Sequence, residues 1–215
     1  VKHFDGRDRD YYNRKRREIL PFIPPGSKTV LDVGAGEGEF GYLLKQELGA
    51  EVWGVEPDFG ACEKARVKLD RVLLGRFEDV LDDLRRGYFD AVVFNDVLEH
   101  MVDPFGVLVG SRALISPHGV VVASIPNVRF WGNLKGLIKD KDWKYKTSGV
   151  LDATHLRFFT RKSMIRMFHE AGYRMIRIQG INPTSSRNFK VFNFLLAGSQ
   201  ADARYAQFVC VAGVP

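Results

Sequence analysis

The sequence predicts a doubly wound α/β fold, and three observations carry the prediction. Short apolar runs alternate with segments of helical periodicity from Thr29 to Ile125. The first run ends in a loop with glycines at alternate positions, Gly34, Gly36 and Gly38, which opens a helix. The second run ends in an acid, Glu56. Alternating strand and helix patterns argue for a mostly parallel sheet, helices on both faces, and a ligand at the carboxyl ends of the strands. A chain of 215 residues with 45% hydrophobic content can bury one substantial core. One domain is therefore expected over 29–215, with a cover segment over 1–28 and a lid insertion over 127–159.

Taken in order, Asp8 to Leu20 reads as a helix ended by Pro21, Pro24, Pro25 and Gly26, with Tyr11 or Tyr12 placed to reach into a cleft. Thr29 to Val33, broken only by Asp32, is the first strand, and Phe40, Leu43, Leu44 and Leu48 give the next helix its apolar face. Glu51 to Pro57 is the second strand, Asp58 to Leu69 a helix, and Arg71 to Gly75 a short third strand. A turn over Gly75 to Asp79 lies at the same edge, where an adenine ring could sit beside Phe77. Phe89 to Asn95 is the fourth strand. Asp103 and Pro104 read as cap and first position of a helix through Ile115, because a proline lacking its N–H is tolerated there. Gly119 to Ile125 is the fifth strand, stopped by Pro126.

The pattern then changes. Between Asn127 and Leu151, Phe130, Trp131, Trp143 and Tyr145 alternate with Lys135, Lys139, Lys141, Lys144 and Lys146. This is the expected lid, and its mixture suits an anionic or sugar-bearing substrate or a phospholipid surface. Thr160 to Ala171 is a helix stopped by Gly172. Tyr173 to Ile181 and Ala206 to Val214 are the last strands. With no comparably strong helical pattern between them, they are expected to pair antiparallel at the sheet edge.

The net charge of +6 permits an anionic substrate, a membrane surface or nucleic acid and demands none of them. Two cysteines, Cys62 and Cys210, make neither a disulfide framework nor a zinc spacing. No apolar run approaches the roughly 20 residues of a membrane span, and the opening residues do not read as a signal peptide. The expected location is the cytoplasm.

Gly36, Gly38 and Gly41 satisfy G-x-G-x-x-G, in which backbone N–H groups receive the pyrophosphate of a dinucleotide such as NAD. The same turn carries Asp32, Glu37 and Glu39, whose fixed negative charge would repel a pyrophosphate. S-adenosylmethionine has no phosphate, and its ammonium and sulfonium suit an acidic loop. The loop favours it, while an NAD-binding oxidoreductase survives on the three glycines. In either case Glu56, at the tip of the second strand, can accept hydrogen bonds from ribose hydroxyls.

Through VLDVGAGEG, Glu56, the turn at Phe77 and Glu78, and NDVLEHMVDP, the chain resembles the class I S-adenosylmethionine-dependent methyltransferases over nearly its whole length. That resemblance implies a Rossmann-like sheet of seven strands with the last one antiparallel. It also implies cofactor contacts from Asp32, Gly34, Ala35, Gly36, Gly38, Glu56, Pro57, Phe77, Glu78, Asn95, Asp96 and Val97. Within the class, LEHMVDP and DATHLRFFT resemble the ubiquinone-biosynthesis O-methyltransferases and the bacterial methyltransferases of cell-surface glycan synthesis. A sugar or glycan hydroxyl, or a quinone precursor, is the acceptor so implied.

Methyl transfer from a sulfonium to a hydroxyl asks the protein for alignment and for a base. His155, in a polar segment with Asp152, Thr154 and Arg157, and His100, just beyond the fourth strand, are the candidates. Asp96, Glu99 and His100 fall at i, i+3 and i+4, and on a helical turn they would face one side as a divalent-cation site. The ubiquinone-branch enzymes carry acid, acid and histidine at matching places and use a divalent cation, although this chain has Asp96 where they have a glutamate. Arg157, Arg161 and Lys162 read as solvated charge or as partners for an acidic acceptor. An RNA methyltransferase is the alternative within the class, favoured by the basic balance. Neither an appended RNA-binding module nor an N-P-P-Y-type tetrapeptide supports it, and no nucleic-acid partner is expected.

Overall fold

The computed structural model describes residues 16–215. Its strands are β1 (Thr29–Val33), β2 (Glu51–Glu56), β3 (Arg71–Leu74), β4 (Phe89–Asn95), β5 (Ile115–Pro126), β6 (Arg174–Pro183) and β7 (Tyr205–Gly213). They form one seven-stranded sheet in the order β3-β2-β1-β4-β5-β7-β6. β1 pairs parallel with both β2 and β4, and β6 pairs antiparallel with β7. The strand order therefore reverses between β1 and β4, the place where open α/β sheets take their ligands. Val30, Leu31, Ala91, Val92, Val93 and Phe94 are all fully buried, as expected of central parallel strands covered on both faces.

The helices are α1 (Glu39–Leu48), α2 (Phe59–Arg66), α3 (Phe77–Val80), α4 (Pro104–Ser111), α5 (Trp131–Lys139), α6 (Arg161–Glu170) and α7 (Arg187–Leu195). Several of the caps follow from local chemistry. Asp58 accepts from Ala61 N–H at 2.8 Å, Asp103 from Gly106 N–H at 2.9 Å, and Thr160 with Ser163 closes a reciprocal capping box. Gly49, at φ 64°, ends α1 with its N–H on Lys45 O.

Two expectations change. The expected cover helix, with Tyr11 and Tyr12, lies largely outside the described residues. What is described is a 3₁₀ turn, Arg17–Phe22, with Pro21 inside it. Ile19 and Phe22, three apart, eclipse in such a turn and both bury. The segment between β6 and β7 contains α7, capped by Ser186, which the sequence reading missed. Its apolar residues, Phe189, Val191, Phe192, Phe194 and Leu195, lie on more than one face, so no single stripe stood out.

Contacts gather the chain into two units. One runs up to Phe94 and includes Gly110–Val121; the other comprises Asn95–Val109 and Val122–Pro215.

Candidate functional site

In the first unit the glycine loop is built by what β1 leaves unsatisfied. Gly34 N–H and Ala35 N–H both donate to Val55 O, at 2.8 and 3.1 Å, and Gly38 N–H closes back on Ala35 O at 2.9 Å. Gly34, Gly36 and Gly38 have φ of 72°, 55° and 80°, a left-handed run that glycine adopts without a Cβ penalty. Glu56, buried at the end of β2, accepts Gly36 N–H on Oε2 at 2.8 Å and Asp58 N–H on Oε1 at 2.9 Å. A carboxylate oxygen has more than one acceptor direction, so these bonds fix its orientation. Gly41, the third glycine of the pattern, sets helix packing: a Cβ there would stand 2.7 Å from Leu69 Cδ2 and 3.0 Å from Val52 Cγ1.

The acidity of this loop is distributed differently from expectation. Glu37 pairs with Lys64 at 2.6 Å and Glu39 with Lys68 at 2.7 Å, so lysines of α2 and of the turn after it answer both charges. Asp32, 2% exposed in β1, remains, and burial followed by the charge of Glu56 pushes its carboxyl up to about 7. Of the expected adenine edge, Phe77 is buried edge-on against Phe94, whereas Glu78 and Pro57 are exposed.

In the second unit, Asn95 has both side-chain amide atoms buried with no hydrogen-bond partner among the described residues. Leaving such atoms unpaired costs about 1–3 kcal/mol each, which a bound ligand's polar groups would offset. Asp96, at φ 55°, accepts from Gln207 Nε2 at 2.6 Å and Ser124 Oγ at 3.1 Å.

That conformation corrects the expected cation set. Leu98–His100 is a 3₁₀ turn, and no α-helical turn carries Asp96 round to Glu99 and His100. The third member is His155: ligand atoms of Glu99, His100 and His155 all lie within 4.8 Å of one another. Leu156 N–H and Arg157 N–H both donate to Glu99 O, at 2.8 and 3.0 Å, which ties the His155 segment to the turn. The imidazoles meet edge-on with centroids 4.8 Å apart, and His155 Nε2 is 3.9 Å from Glu99 Oε1.

Backbone carbonyls set both rings. His155 Nδ1 faces Val150 O at 3.1 Å and His100 Nδ1 faces Thr154 O at 3.1 Å. A carbonyl only accepts, so each Nδ1 carries the hydrogen and each Nε2 is the acceptor of its neutral ring. Two imidazoles and a carboxylate are the donors of some catalytic metal sites, with bonds of about 2.0–2.2 Å to the ion. A 4.8 Å spread would have to contract to close on one.

The sequence matches the methyltransferase-domain family over residues 4–178. The chain belongs to the class I S-adenosylmethionine-dependent methyltransferases. It is 30% identical over 112 residues to a ubiquinone biosynthesis O-methyltransferase of Histophilus somni, a match covering 48% of this chain and 47% of that protein. A ubiquinone biosynthesis O-methyltransferase of Burkholderia pseudomallei is 28% identical, over 80% of this chain and 78% of its own length. The chain thus spans about half the length of the first of these curated relatives. Among solved structures, a SAM-dependent methyltransferase from Archaeoglobus fulgidus superposes with a TM-score of 0.72 at 19% identity, covering 95% of this chain and 94% of that one. The methyl donor of that family is S-adenosylmethionine, the ligand that the glycine loop favours.

At the end of β5 stands a residue that the sequence reading gave no role. Asn127, fully buried, donates from Nδ2 to Asp202 O and Tyr205 O, both at 3.0 Å, and accepts Arg129 N–H on Oδ1 at 3.1 Å. Its own N–H donates to Ala206 O at 2.8 Å. An asparagine directly after the proline that ends an apolar strand was the available signal. Arg157 is spent on structure, since its guanidinium donates to Val102 O at 2.6 Å and Leu156 O at 3.0 Å. No helix among the described residues is long and apolar enough to cross a membrane.

Proposed function

We propose that this chain transfers the methyl group of S-adenosylmethionine to a hydroxyl of a small acceptor of the sugar, glycan or quinone-precursor type. The observation that carries this reading is the half-buried pair His100 and His155 around the buried Glu99, because a hydroxyl must lose its proton as it attacks. Each ring is held by a carbonyl in the tautomer whose Nε2 can accept. The name of the relatives, ubiquinone biosynthesis O-methyltransferase, supports oxygen as the acceptor atom.

In this reading the first unit holds the donor. Gly34, Ala35, Gly36 and Gly38 offer backbone to the methionine end, Asp32 answers its ammonium, and Glu56 takes the ribose hydroxyls. Phe77 and Glu78 border the adenine. The acceptor oxygen forms its bond to the methyl carbon as the carbon–sulfur bond breaks. The electron pair leaves on sulfur, now a neutral thioether, and the proton passes to Nε2 of His155, with Glu99 stabilising the imidazolium.

A second reading rests on the same cluster: Glu99, His100 and His155 would hold a divalent cation that polarises the acceptor oxygen. The two part cleanly. Donor labelled on its methyl group is incubated with a panel of phenolic and sugar hydroxyl acceptors, with and without chelator. Transfer that survives chelation and is lost in His155→Ala supports the base; loss on chelation, restored by added metal, supports the cation. No transfer to any hydroxyl, with transfer to an amine or RNA, would overturn O-methylation.

A further inference from the structure

We propose that α5 and α7 together form a docking surface for an anionic phospholipid bilayer. The helices are joined through Trp131, whose ring centroid lies 5.9 Å from that of Phe189 and 4.9 Å from that of Phe192. With this contact made, both helices still expose large apolar side chains. On α7, Val191, Phe194 and Leu195 stand at i, i+3 and i+4 and are 59%, 82% and 74% exposed. On α5, Leu137 and Ile138 are 45% and 64% exposed.

Charge selects the occupant. The charged residues within the two helices are Lys135 and Lys139 on α5, and Arg187 and Lys190 on α7, with no acid on either. A pocket of about 720 Å³ is lined in part by Phe189, Lys190, Phe194, Arg204 and Tyr205, with the Arg204 guanidinium 5.8 Å from the centre of the Tyr205 ring, and no carboxylate lines it. The nearby acid Asp202 is engaged by Arg129 at 2.8 Å. Protein interfaces are depleted in lysine at their centres, whereas helices that lie on membranes combine Phe and Leu on one face with Lys and Arg on the other. The lid was the segment expected to meet a lipid surface; α7, far from it in sequence, carries the most exposed phenylalanine and leucine among the described residues, Phe194 and Leu195. Phe194 and Leu195 would enter the acyl boundary while Lys190 and Arg204 meet lipid phosphates.

The test needs neither methyl donor nor acceptor, so its failure is separate from failure of the methyl-transfer reading. The full chain is sedimented with vesicles of phosphatidylcholine, with and without phosphatidylglycerol. Binding is expected only to vesicles containing phosphatidylglycerol, weakening as salt is raised. Phe194→Asp with Leu195→Asp should lower the bound fraction about tenfold or more. Arg187→Glu with Lys190→Glu should abolish the preference for anionic lipid, a second arm should the first variant fold poorly. No sedimentation, sedimentation undiminished in both variants, or a dimer in light scattering that the Phe194 and Leu195 changes dissolve would each overturn the proposal.

Discussion

His155 Nε2 stands 3.9 Å from Glu99 Oε1, with Glu99 1% exposed. Because His155 Nδ1 is committed to Val150 O, the neutral ring turns a lone pair toward the carboxylate. Once Nε2 takes a proton, the same geometry becomes attractive. Glu99 thus favours the ring after proton transfer over the ring before it, which is what a base in a methyl transfer needs. Glu99→Gln should lower turnover roughly tenfold to a hundredfold, about 1–3 kcal/mol of transition-state stabilisation. Donor affinity should stay unchanged. Single-turnover transfer to a working acceptor, alongside calorimetry of donor binding, reads both; unchanged turnover would remove Glu99 from the mechanism.

His100 is placed by a short relay. Its Nδ1 lies 3.1 Å from Thr154 O and 3.3 Å from Thr154 Oγ1, and that hydroxyl donates to Asp152 Oδ1 at 2.7 Å. Asp152 Oδ1 also accepts Thr154 N–H at 2.8 Å, so the aspartate fixes the turn that fixes the histidine. Asp152→Ala strands a hydroxyl and an N–H, and should cost about 1–3 kcal/mol of stability. Thr154→Val removes the hydroxyl alone and should cost about half as much. Urea unfolding of the two variants gives the order; a Thr154→Val loss larger than that of Asp152→Ala contradicts it.

The features legible in the sequence were those set by local spacing. β1, β4 and the second half of β5 are largely apolar because both faces are covered, and Gly34 to Gly38 announces a left-handed turn whatever lies around it. Contacts between distant residues were not legible. Glu37 and Glu39 read as free acidity because Lys64 and Lys68, 27 and 29 residues on, had no visible reason to meet them. Asp96 was grouped with Glu99 and His100 by helical spacing, but its φ of 55° turns it toward Ser124 and Gln207. His155 entered the cluster through backbone bonds from Leu156 and Arg157 to Glu99, which no periodicity encodes.

Leu69 fills the space left by glycines on two elements. Cβ atoms on Gly41 and Gly54 would meet its methyl carbons at 2.7 and 2.9 Å, and one on Gly38 would meet its Cγ at 3.4 Å. Gly41→Ala gains helix propensity of about 1 kcal/mol, yet overpacking of this kind costs typically about 1–3 kcal/mol. A net loss of stability is expected. Shortening the obstructing side chain should relieve it, so Gly41→Ala with Leu69→Val should be less destabilised than the sum of the single changes. Additive losses in a denaturation cycle would show that the clash is absorbed elsewhere.

Asp32 makes both stability and donor binding depend on pH. Its carboxyl rises from 3.8 to about 7 on folding, through burial and then the charge of Glu56. Below about pH 4 the group is protonated in both states and costs nothing. Between about pH 4 and 7 the unfolded chain ionises while the folded chain keeps its proton, so stability falls as pH rises, by up to about 4 kcal/mol in all. Asp32→Asn should flatten that slope and leave the ligand-free variant more stable than the native chain at neutral pH. A cation bound beside Asp32 favours its ionised form, so uptake of the donor's ammonium should release a proton. Donor affinity should then rise between about pH 5.5 and 7.5, approaching tenfold per pH unit at most. Calorimetry in buffers of different ionisation enthalpy measures the released proton directly. A pH-independent affinity in the native chain, or the same proton release in Asp32→Asn, would assign the ammonium to another group.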